Sequence, residues 1–304
     1  MHAPFNRHVG LIILDVTMSN PNGDPDMESE PRTRELDGRG MISPVSFKRK
    51  ARDLISGNSP VFTEAKTQLS LGTTTGNEFD ILEERGRDRD IIKKMDAAEF
   101  KKTYWDARLF GNTFLESLKE GLTKEQEEKK KNGGYAHLIN TGVLQVGVGL
   151  SVAPIEVIRM TNTNKSGVQE GKDRGMAPLA FRVVQHGIYC IPFYVNPSIA
   201  QKTGATQEDL NLFKFMLPYI YQHTASAIRP QISVLHAWVA EHKNALGSCP
   251  EHLLIKALTP TVKAQVKENA ERPSSQDDYD IPGKTALDQF TSRFKKIEDL
   301  VEGG

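Results

Sequence analysis

The chain has 304 residues, of which 39 are basic and 39 acidic, so its formal net charge is zero. Its hydrophobic content of 38% is enough for the core of one α/β domain with sizeable insertions, and no apolar run approaches the length of a membrane span. A neutral balance argues against a protein that coats nucleic acid with its whole surface, although it allows a local basic stripe.

The N-terminal region predicts a buried strand followed by a long loop. Residues 9–18 (VGLIILDVTM) are rich in β-branched and long aliphatic side chains, which favours a strand. The run NPNGDPD at 20–26 contains Asn-Gly and two prolines, which indicates a loop. We expect this loop to continue to Gly40.

Ser43 and Pro44 predict a helix start, with serine as the N-cap and proline at the first helical position. The apolar stripe of this helix, which extends to about residue 56, is Phe47, Ala51 and Leu54. At about 100° per residue, Lys48, Arg49 and Arg52 are predicted to lie on a shared outer flank.

The middle of the chain predicts an insertion and then a hairpin. Residues 57–100 lack a clear period and are expected to form short helices and loops, and residues 104–118 lead into a second core helix. Residues 142–160 form a second β region, which runs into a polar excursion and returns as strand at 179–195. A strand, an excursion and a returning strand predict a protruding β-hairpin.

The C-terminal third predicts mainly helices. Residues 207–226 and 231–246 have helical period, 252–258 are expected to be a last strand, and 273–282 have the composition of a linker. An amphipathic C-terminal helix is predicted from the spacing of Leu287, Phe290, Phe294 and Ile297.

Four alternating carboxylates in the long loop raise the question of a metal site. They are Asp24, Asp26, Glu28 and Glu30. A calcium-binding loop needs a glycine at its sixth position, where this chain has Ser29. We therefore favour a solvated or partner-contacting loop and predict no metal.

No motif of a catalytic centre was found. The histidines form no HxxxH pair, the two cysteines have no ligand-spaced partner, and neither a phosphate-binding loop nor a G-x-S-x-G elbow is present. We predict no catalytic residue and no cofactor. The two cysteines and the absence of a signal-peptide pattern predict a reduced, cytoplasmic protein.

The basic residues of the predicted first helix form a cluster. Lys48, Arg49, Lys50 and Arg52 occur with no acidic residue between positions 41 and 52. A solvated helix face is one interpretation. The absence of interleaved acids argues against ordinary i,i+4 pairing and favours contact with the phosphates of a polyanion.

The hairpin excursion is also basic. Between residues 159 and 182 it carries Arg159, Lys165, Lys172, Arg174 and Arg182 against Glu170 and Asp173. Met160 and Met176 are apolar residues within this polar arm. They either wedge between bases, as apolar side chains do in some nucleic-acid complexes, or anchor the arm to a neighbour.

Several motifs resemble, in collinear order, those of one known family. They are NPNGDPD with SFKRKARDLI, WDARLFG at 105–111, APIEVIRM at 153–160, RGM at 174–176, HGIY at 186–189, HTASAIRP at 223–230 and HKNALGSCPEHLL at 242–254. The family is that of the Cascade backbone subunits, the seventh family of CRISPR-associated proteins, in the type I-C or I-B branch. The resemblance is weakest at 57–100 and after residue 258.

The resemblance implies an α+β fold in a single backbone-subunit domain, residues 1–304. Its expected parts are an RNA-recognition-motif-like, ferredoxin-like palm, helical fingers at about 57–103, a β-hairpin thumb at about 159–182, and a C-terminal linker and helix at 273–304. Copies would stack head to tail along the CRISPR guide RNA and present it to target DNA beside other Cascade subunits. The implied RNA contacts are Asn22, Lys48, Arg49, Lys50, Arg52, Arg159, Met160, Arg174 and Met176.

Two hypotheses remain from the sequence. The first is a non-enzymatic guide-RNA scaffold, in which base pairing supplies the specificity. The second is a metal-dependent ribonuclease, because related subunits of RNA-targeting complexes cleave RNA with a loop aspartate. Asp24 and Asp26 are the candidates for that role.

Overall fold

One large antiparallel sheet organises the chain. The structure is a computed structural model that describes residues 3–84, 86, 92, 95–112, 141–164, 177–269 and 271–302, with the backbone alone for 162–164 and 177–179. Its strands are β1 (His8–Ser19), β2 (Gly23–Asp24), β3 (Glu30–Pro31), β4 (Arg39–Ile42), β5 (Leu144–Val146), β6 (Gly149–Pro154), β7 (Val157–Asn164), β8 (Ala177–Val195), β9 (Ile232–His242), β10 (Thr261–Val262), β11 (Tyr279–Asp280) and β12 (Phe294–Asp299).

Along the chain, the helices occur mainly in the connections between strands. They are α1 (Pro44–Ser56), α2 (Pro60–Gln68), α3 (Ala97–Thr103), α4 (Trp105–Phe110), α5 (Ala200–Thr203), α6 (Gln207–Met216), α7 (Glu251–Leu258) and α8 (Ala264–Glu268). Short 3-10 helices occur at Pro25–Met27, Pro197–Ile199, Leu217–Tyr219, Gln222–Thr224, Gln276–Asp278 and Lys284–Phe290. Among the described helices, none is long and apolar enough to cross a membrane.

β1 lies at the centre of the sheet. The strand order is β12-β9-β1-β8-β6-β4, and β5 and β7 also pair with β8. β1 pairs with β8 from His8↔Val195 to Ser19↔Val184, and with β9 on its other side. All of these pairings are antiparallel, which confirms the α+β prediction.

Each face of the sheet has its own hydrophobic core. Alternate residues of β1 point to opposite faces. Ile12, Leu14 and Val16 pack in the cluster that includes Phe47 of α1. Val9, Leu11 and Ile13 pack in the second cluster, with Leu254 of α7. α1 is therefore fixed on one face, while the C-terminal elements cover the other.

The predicted first strand and the predicted start of the first helix are confirmed. β1 covers the predicted strand, and α1 begins after Ser43, whose Oγ accepts a hydrogen bond from the N–H of Ser46 at 3.2 Å. The predicted hairpin is also present, because β7 and β8 pair from Val157↔Val184 to Asn164↔Ala177. Local signals were sufficient here, since the cap, the turn residues and the apolar pattern all agree.

Two predictions of element type near the C-terminal third are wrong. Residues 231–246, predicted to be helical, contain strand β9. Residues 252–258, predicted to be a strand, lie in helix α7 with Leu254 and Leu258 buried. β9 lies between β12 and β1, and its residues from Ala237 to Ala240 are all buried, so the alternation that identifies a strand is lost.

The predicted linker and C-terminal helix are also corrected. Within 273–282 the chain forms strand β11, and Tyr279 is buried. Leu287 and Phe290 lie on a 3-10 helix, whereas Phe294 and Ile297 lie on β12. The four apolar residues are spaced three and four positions apart, as in a helix, but they belong to two different elements. Both elements pack against the same core, which explains why all four residues are apolar.

Candidate nucleic-acid interface

Asn22 joins the long loop to the start of α1. Its Oδ1 accepts a hydrogen bond from the N–H of Ser43 at 2.7 Å, and its Nδ2 donates to the carbonyl of Gly23 at 3.1 Å. Because Ser43 caps α1, the Asn22 side chain anchors the loop to the helix. A contact between Asn22 and RNA would use the hydrogen-bonding capacity that these two bonds leave over.

Two carboxylates of the loop are paired with arginines of the same loop. Asp24 lies 3.4 Å from Arg32, and Asp37 pairs with both Arg34 and Arg39. The Arg34 guanidinium, helped by the backbone N–H of Arg39, lowers the pKa of Asp37 to about 2. The charges of Asp24 and Asp37 are therefore compensated within the loop.

The base of the β7–β8 arm is tied to the same loop. Arg182 on β8 lies 3.4 Å from Glu30 and 3.7 Å from Glu28. The Nδ2 of Asn20 donates to the carbonyls of Ser29 and Arg182 at 2.7 and 3.3 Å. Loop, arm and α1 are consequently held together as one surface.

The arm places one predicted cation and one predicted apolar contact beside the loop. Arg159 is exposed and lies opposite Arg182 in the ladder, and the half-buried Met160 lies opposite Phe181. Residues directly opposite in an antiparallel pair share a face, so Arg159 is on the face where Arg182 meets the loop. Arg174 and Met176 lie outside the described residues.

Lys48 and Arg49 lie on the outer part of α1. Arg49 is exposed, pairs with Asp53 at 2.7 Å, and donates from Nη1 to the carbonyl of Glu83. The expectation that this helix lacks i,i+4 pairing is thus wrong for Arg49. Burial and the nearby Arg52 lower the pKa of Lys48, whose Nζ lies 5.4 Å from the centre of the Phe110 ring.

Arg52 does not lie on the outer flank, and that prediction is wrong. Its side chain is 5% exposed, and its Nε donates to Asp106 at 2.8 Å while Nη2 lies 3.0 Å from Glu83. Asp106 also accepts from the N–H groups of Leu82 and Glu83. Glu83 and Asp106 therefore enclose the Arg52 side chain. Arg52 links α1 to α4 and does not face solvent.

Lys50 occupies an unexpected position. The residue is 4% exposed, its Nζ donates to Thr224 Oγ1 at 3.3 Å, and it lies 5.1 Å from the centre of the Tyr221 ring. Burial, followed by the charge of Arg229, lowers the pKa of Lys50 to about 8. In the described chain, neither Lys50 nor Arg229 forms an ion pair with a carboxylate.

Arg229 has no signal in the sequence that marks it as functional. It lies in the HTASAIRP segment, where a single arginine carries no charge pattern that would distinguish it. The segment is fixed beside the candidate interface because the N–H of Asn20 donates to the carbonyl of Ile228 at 2.7 Å.

Among the described residues, one group of three side chains could hold a metal ion, and it lies outside the loop. His236, Asp299 and Glu302 have ligand atoms within 4.8 Å of one another. Asp299 already accepts from His236 Nδ1 at 2.6 Å and from the N–H groups of Ala237 and Val301. Although burial raises the pKa of Asp299, these hydrogen bonds hold it below its ordinary value, so the group is explained as a link between β9 and the end of β12.

Comparisons with known proteins identify relatives. The family model described as "CRISPR-associated protein Cas7" matches residues 6–284. A curated protein of Haloferax volcanii with the same description is 27% identical over 213 residues, which cover 68% of this chain. The matched part spans 61% of that relative's length, less than two thirds of it.

Two solved structures are similar at lower levels. A chain of "CRISPR RNA-guided surveillance complex, pre-nicking" is 15% identical with a TM-score of 0.45, and the match covers 78% of each chain. A chain of "CRISPR RNA-guided surveillance complex" is 15% identical with a TM-score of 0.40, over 86% of this chain and 80% of the other.

Proposed function

The chain belongs to the CRISPR-associated protein Cas7 family, and we propose that it is a guide-RNA-binding backbone subunit of a type I CRISPR surveillance complex. The observation that carries the proposal is the family match across residues 6–284. Copies of the chain would line up head to tail along the guide RNA, beside other subunits, and present it for pairing with target DNA in the cytoplasm.

The geometry of the interface supports this proposal. Among the described residues, several cations without a carboxylate partner lie on α1, on the arm and in the segment held beside the long loop. They are Lys48, Lys50, Arg159 and Arg229, with Arg49 at the exposed edge. Such cations contact phosphates without reading sequence, which suits a protein that must accept any guide.

Arg52 has a different role in this proposal. Its ion pair with Asp106 is buried, so it fixes the position of α1 and does not contact phosphate. Asn22 similarly holds the loop on the start of α1. Arg174 and Met176 keep their proposed roles as contacts of the thumb, together with Arg159 and Met160.

We assign the parts of the fold as the resemblance implies. The antiparallel sheet with α1 on one face would be the RNA-recognition-motif-like palm, and residues 57–103 the fingers. The β7–β8 hairpin would be the thumb, at 159–182. The order of elements supports this assignment. The central strand β1 is followed by the loop and then by the basic helix α1, so both begin from one end of that strand.

A scaffold is favoured over a ribonuclease. Asp24 pairs with Arg32 and accepts from the N–H of Asp26, so it is held by contacts within the loop. A metal-dependent nuclease needs carboxylates that converge from several elements. The alternative stays testable: cleavage of labelled RNA in magnesium that is lost in Asp24→Ala or Asp26→Ala would overturn the scaffold proposal.

RNA binding itself is tested with the purified chain and RNAs of unrelated sequence. We expect Arg49→Gln and Arg159→Gln to weaken binding about equally for each RNA. The slope of the logarithm of the binding constant against the logarithm of the salt concentration should fall by about one for each lost phosphate contact. Lys256→Met on α7, which covers the opposite face, is the control and should leave binding unchanged. Loss for only one RNA sequence would contradict phosphate contact.

Assembly is tested by the stoichiometry on RNA of defined length. We expect the number of bound copies, measured by native mass spectrometry, to rise in steps as the RNA is lengthened. A single copy on every length would contradict the backbone role.

A further inference from the structure

The loop that follows β9 holds a leucine out into solvent. Leu246 is 90% exposed, the largest exposed fraction among the large apolar side chains of the described residues. Single exposed apolar residues are common on protein surfaces, so exposure alone supports no inference. The conformation of this loop, however, is fixed by its own hydrogen bonds, because Asn244 Oδ1 accepts from the N–H groups of Leu246 and Gly247 at 3.0 and 2.9 Å.

The same loop is anchored to the body of the protein. Gly247 has a φ of 108°, in the region that favours glycine. The N–H of Ser248 donates to Nδ1 of the buried His242 at 2.9 Å, and its Oγ donates to the carbonyl of Arg293 at 2.6 Å. Leu246 is therefore presented in one orientation, which lowers the entropy that a contact through this side chain would cost.

An apolar groove of about 800 Å³ lies between α2 and the end of α6. The apolar residues that line it are Pro60, Val61, Leu69, Phe215, Tyr219 and Leu300. The ring centres of Phe215 and Tyr219 lie 5.9 Å apart, so one wall of the groove is aromatic, as is common at protein–protein interfaces. Grooves of this size hold a drug-sized ligand, so a leucine side chain and its neighbours fit within it.

The loop and the groove lie on different parts of the surface. The loop leaves the sheet at the N-terminal end of β1, where Glu241 pairs with His8. The groove includes Leu300, whose N–H donates to the carbonyl of Ala237, about 16 Å back along β9 from the start of the loop. An exposed apolar side chain and a groove at two separate places on one chain fit a heterologous contact, which can repeat from copy to copy.

The charges of the loop and the groove are complementary. Glu64 is an exposed residue of the groove, and Lys243 is exposed in the loop, three residues before Leu246. In the part of the chain that the structure describes, no ion pair includes either residue. Lys214, which also lines the groove, is already paired with Glu298. The groove thus offers a negative charge and the loop a positive one.

We propose that Leu246 of one copy of this chain inserts into the groove of a second copy, with Lys243 beside Glu64 of that copy. The inference rests on the proposed backbone function and names the two surfaces through which successive copies meet. Leu36 is 86% exposed as well, but its loop belongs to the candidate nucleic-acid interface. Burying a leucine side chain strengthens a contact by a factor of about ten to a hundred.

The first experiment counts copies on RNA by native mass spectrometry. The RNA is long enough for several copies, and the quantity compared is the ratio between the protein concentrations at which the second and the first copy bind. We expect Leu246→Ser to raise this ratio about ten- to a hundredfold. Leu36→Ser, which removes a similarly exposed leucine, is the matched control and should leave the ratio unchanged. Circular dichroism checks that each variant is folded.

Charge reversal tests the polar part of the contact. Lys243→Glu and Glu64→Lys should each raise the ratio about threefold, because each places like charges together. The double variant Lys243→Glu/Glu64→Lys restores opposite charges across the contact and should recover most of this loss. Recovery of this kind would not follow if each substitution only disturbed its own part of the fold.

Cross-linking tests the direction of the contact. Two variants are made in a Cys249→Ser background, which removes the neighbouring thiol. Copies with Leu246→Cys are mixed on RNA with copies of different mass that carry Tyr219→Cys. We expect mild oxidation to give a disulfide-linked pair of unequal masses. Leu36→Cys mixed with Tyr219→Cys should give none.

The outcomes separate this inference from the proposed function. An unchanged ratio in folded Leu246→Ser, or an equal rise in Leu36→Ser, would overturn the inference and leave the backbone role intact. The same conclusion would follow if Leu246→Cys and Tyr219→Cys failed to cross-link while several copies occupied the RNA. A wild-type protein that binds as a single copy on every RNA length would refute the backbone role, and the inference with it.

Discussion

The buried ion pair between Arg108 and Asp209 gives the strongest stability prediction. Both side chains are fully buried, and they join α4 to α6. Arg108 donates to the two carboxylate oxygens of Asp209, and also to the carbonyls of Glu78, Lys101 and Lys102 at 2.7–2.8 Å. The guanidinium thus joins three parts of the chain at one point.

We expect Arg108→Met to lower the free energy of unfolding by about 3–5 kcal/mol. Methionine fills much of the same space, so the loss arises mainly from a buried carboxylate without its cation. Asp209 keeps its hydrogen bond from the N–H of Thr206 at 2.8 Å, which limits the loss to this range. The free energy is measured by urea unfolding, followed by circular dichroism.

Arg49→Met is the matched control. Arg49 also pairs with an aspartate, Asp53, but at an exposed position, where such pairs contribute about 0.5 kcal/mol or less. The double variant Arg108→Met/Asp209→Asn removes the unpaired charge and should be more stable than Arg108→Met alone. A loss below about 1 kcal/mol in Arg108→Met would refute the assignment of a large penalty to the unpaired carboxylate.

Three further predictions concern the loop and α1. Ser43→Ala removes the cap of α1 and should lower the free energy of unfolding by about 1 kcal/mol, with Ser43→Thr as a nearly neutral control. Gly40→Ala should be more destabilising in the same urea assay, because the added Cβ would lie 2.0 Å from the buried Tyr189 hydroxyl; a neutral result would contradict this close approach. Carboxyl NMR should show Asp37 titrating near pH 2, so its stabilising contribution is present above about pH 4 and disappears as the pH falls towards 2. Arg34→Gln should raise that pKa towards the ordinary value, and an unchanged titration would exclude Arg34 as its cause.

Part of the candidate site could be predicted because its signals are local. Ser43 and Pro44 are adjacent, and the helix that follows shows its apolar stripe within a few turns. The same holds for the loop at Asn22 and for the paired strands of the arm. In each case the residues that determine the structure are neighbours in the chain, so a pattern of composition and spacing is enough.

The roles of the individual cations could not be obtained in this way. Lys48, Arg49, Lys50 and Arg52 are nearly consecutive, yet Arg49 is exposed while Lys50 and Arg52 are buried. Helical geometry gives the direction in which each side chain points, but not what lies there. Asp106, which pairs with Arg52, and Thr224 and Tyr221, which contact Lys50, come from other parts of the chain.

The sequence by itself determined the α+β class, the first strand and helix, the arm and, through its collinear motifs, the family. The hydrophobic periodicity of the sequence did not identify strands β9 and β12. Both faces of the sheet are covered, and the strands that pair with β9 and β12 are distant in the chain. Tertiary structure alone decided which basic residues pair with carboxylates, as Arg52 does, and which are buried without one, as Lys50 is. The physical reason is that burial and charge pairing depend on what packs against a residue, whereas strand and helix signals depend on its neighbours in sequence.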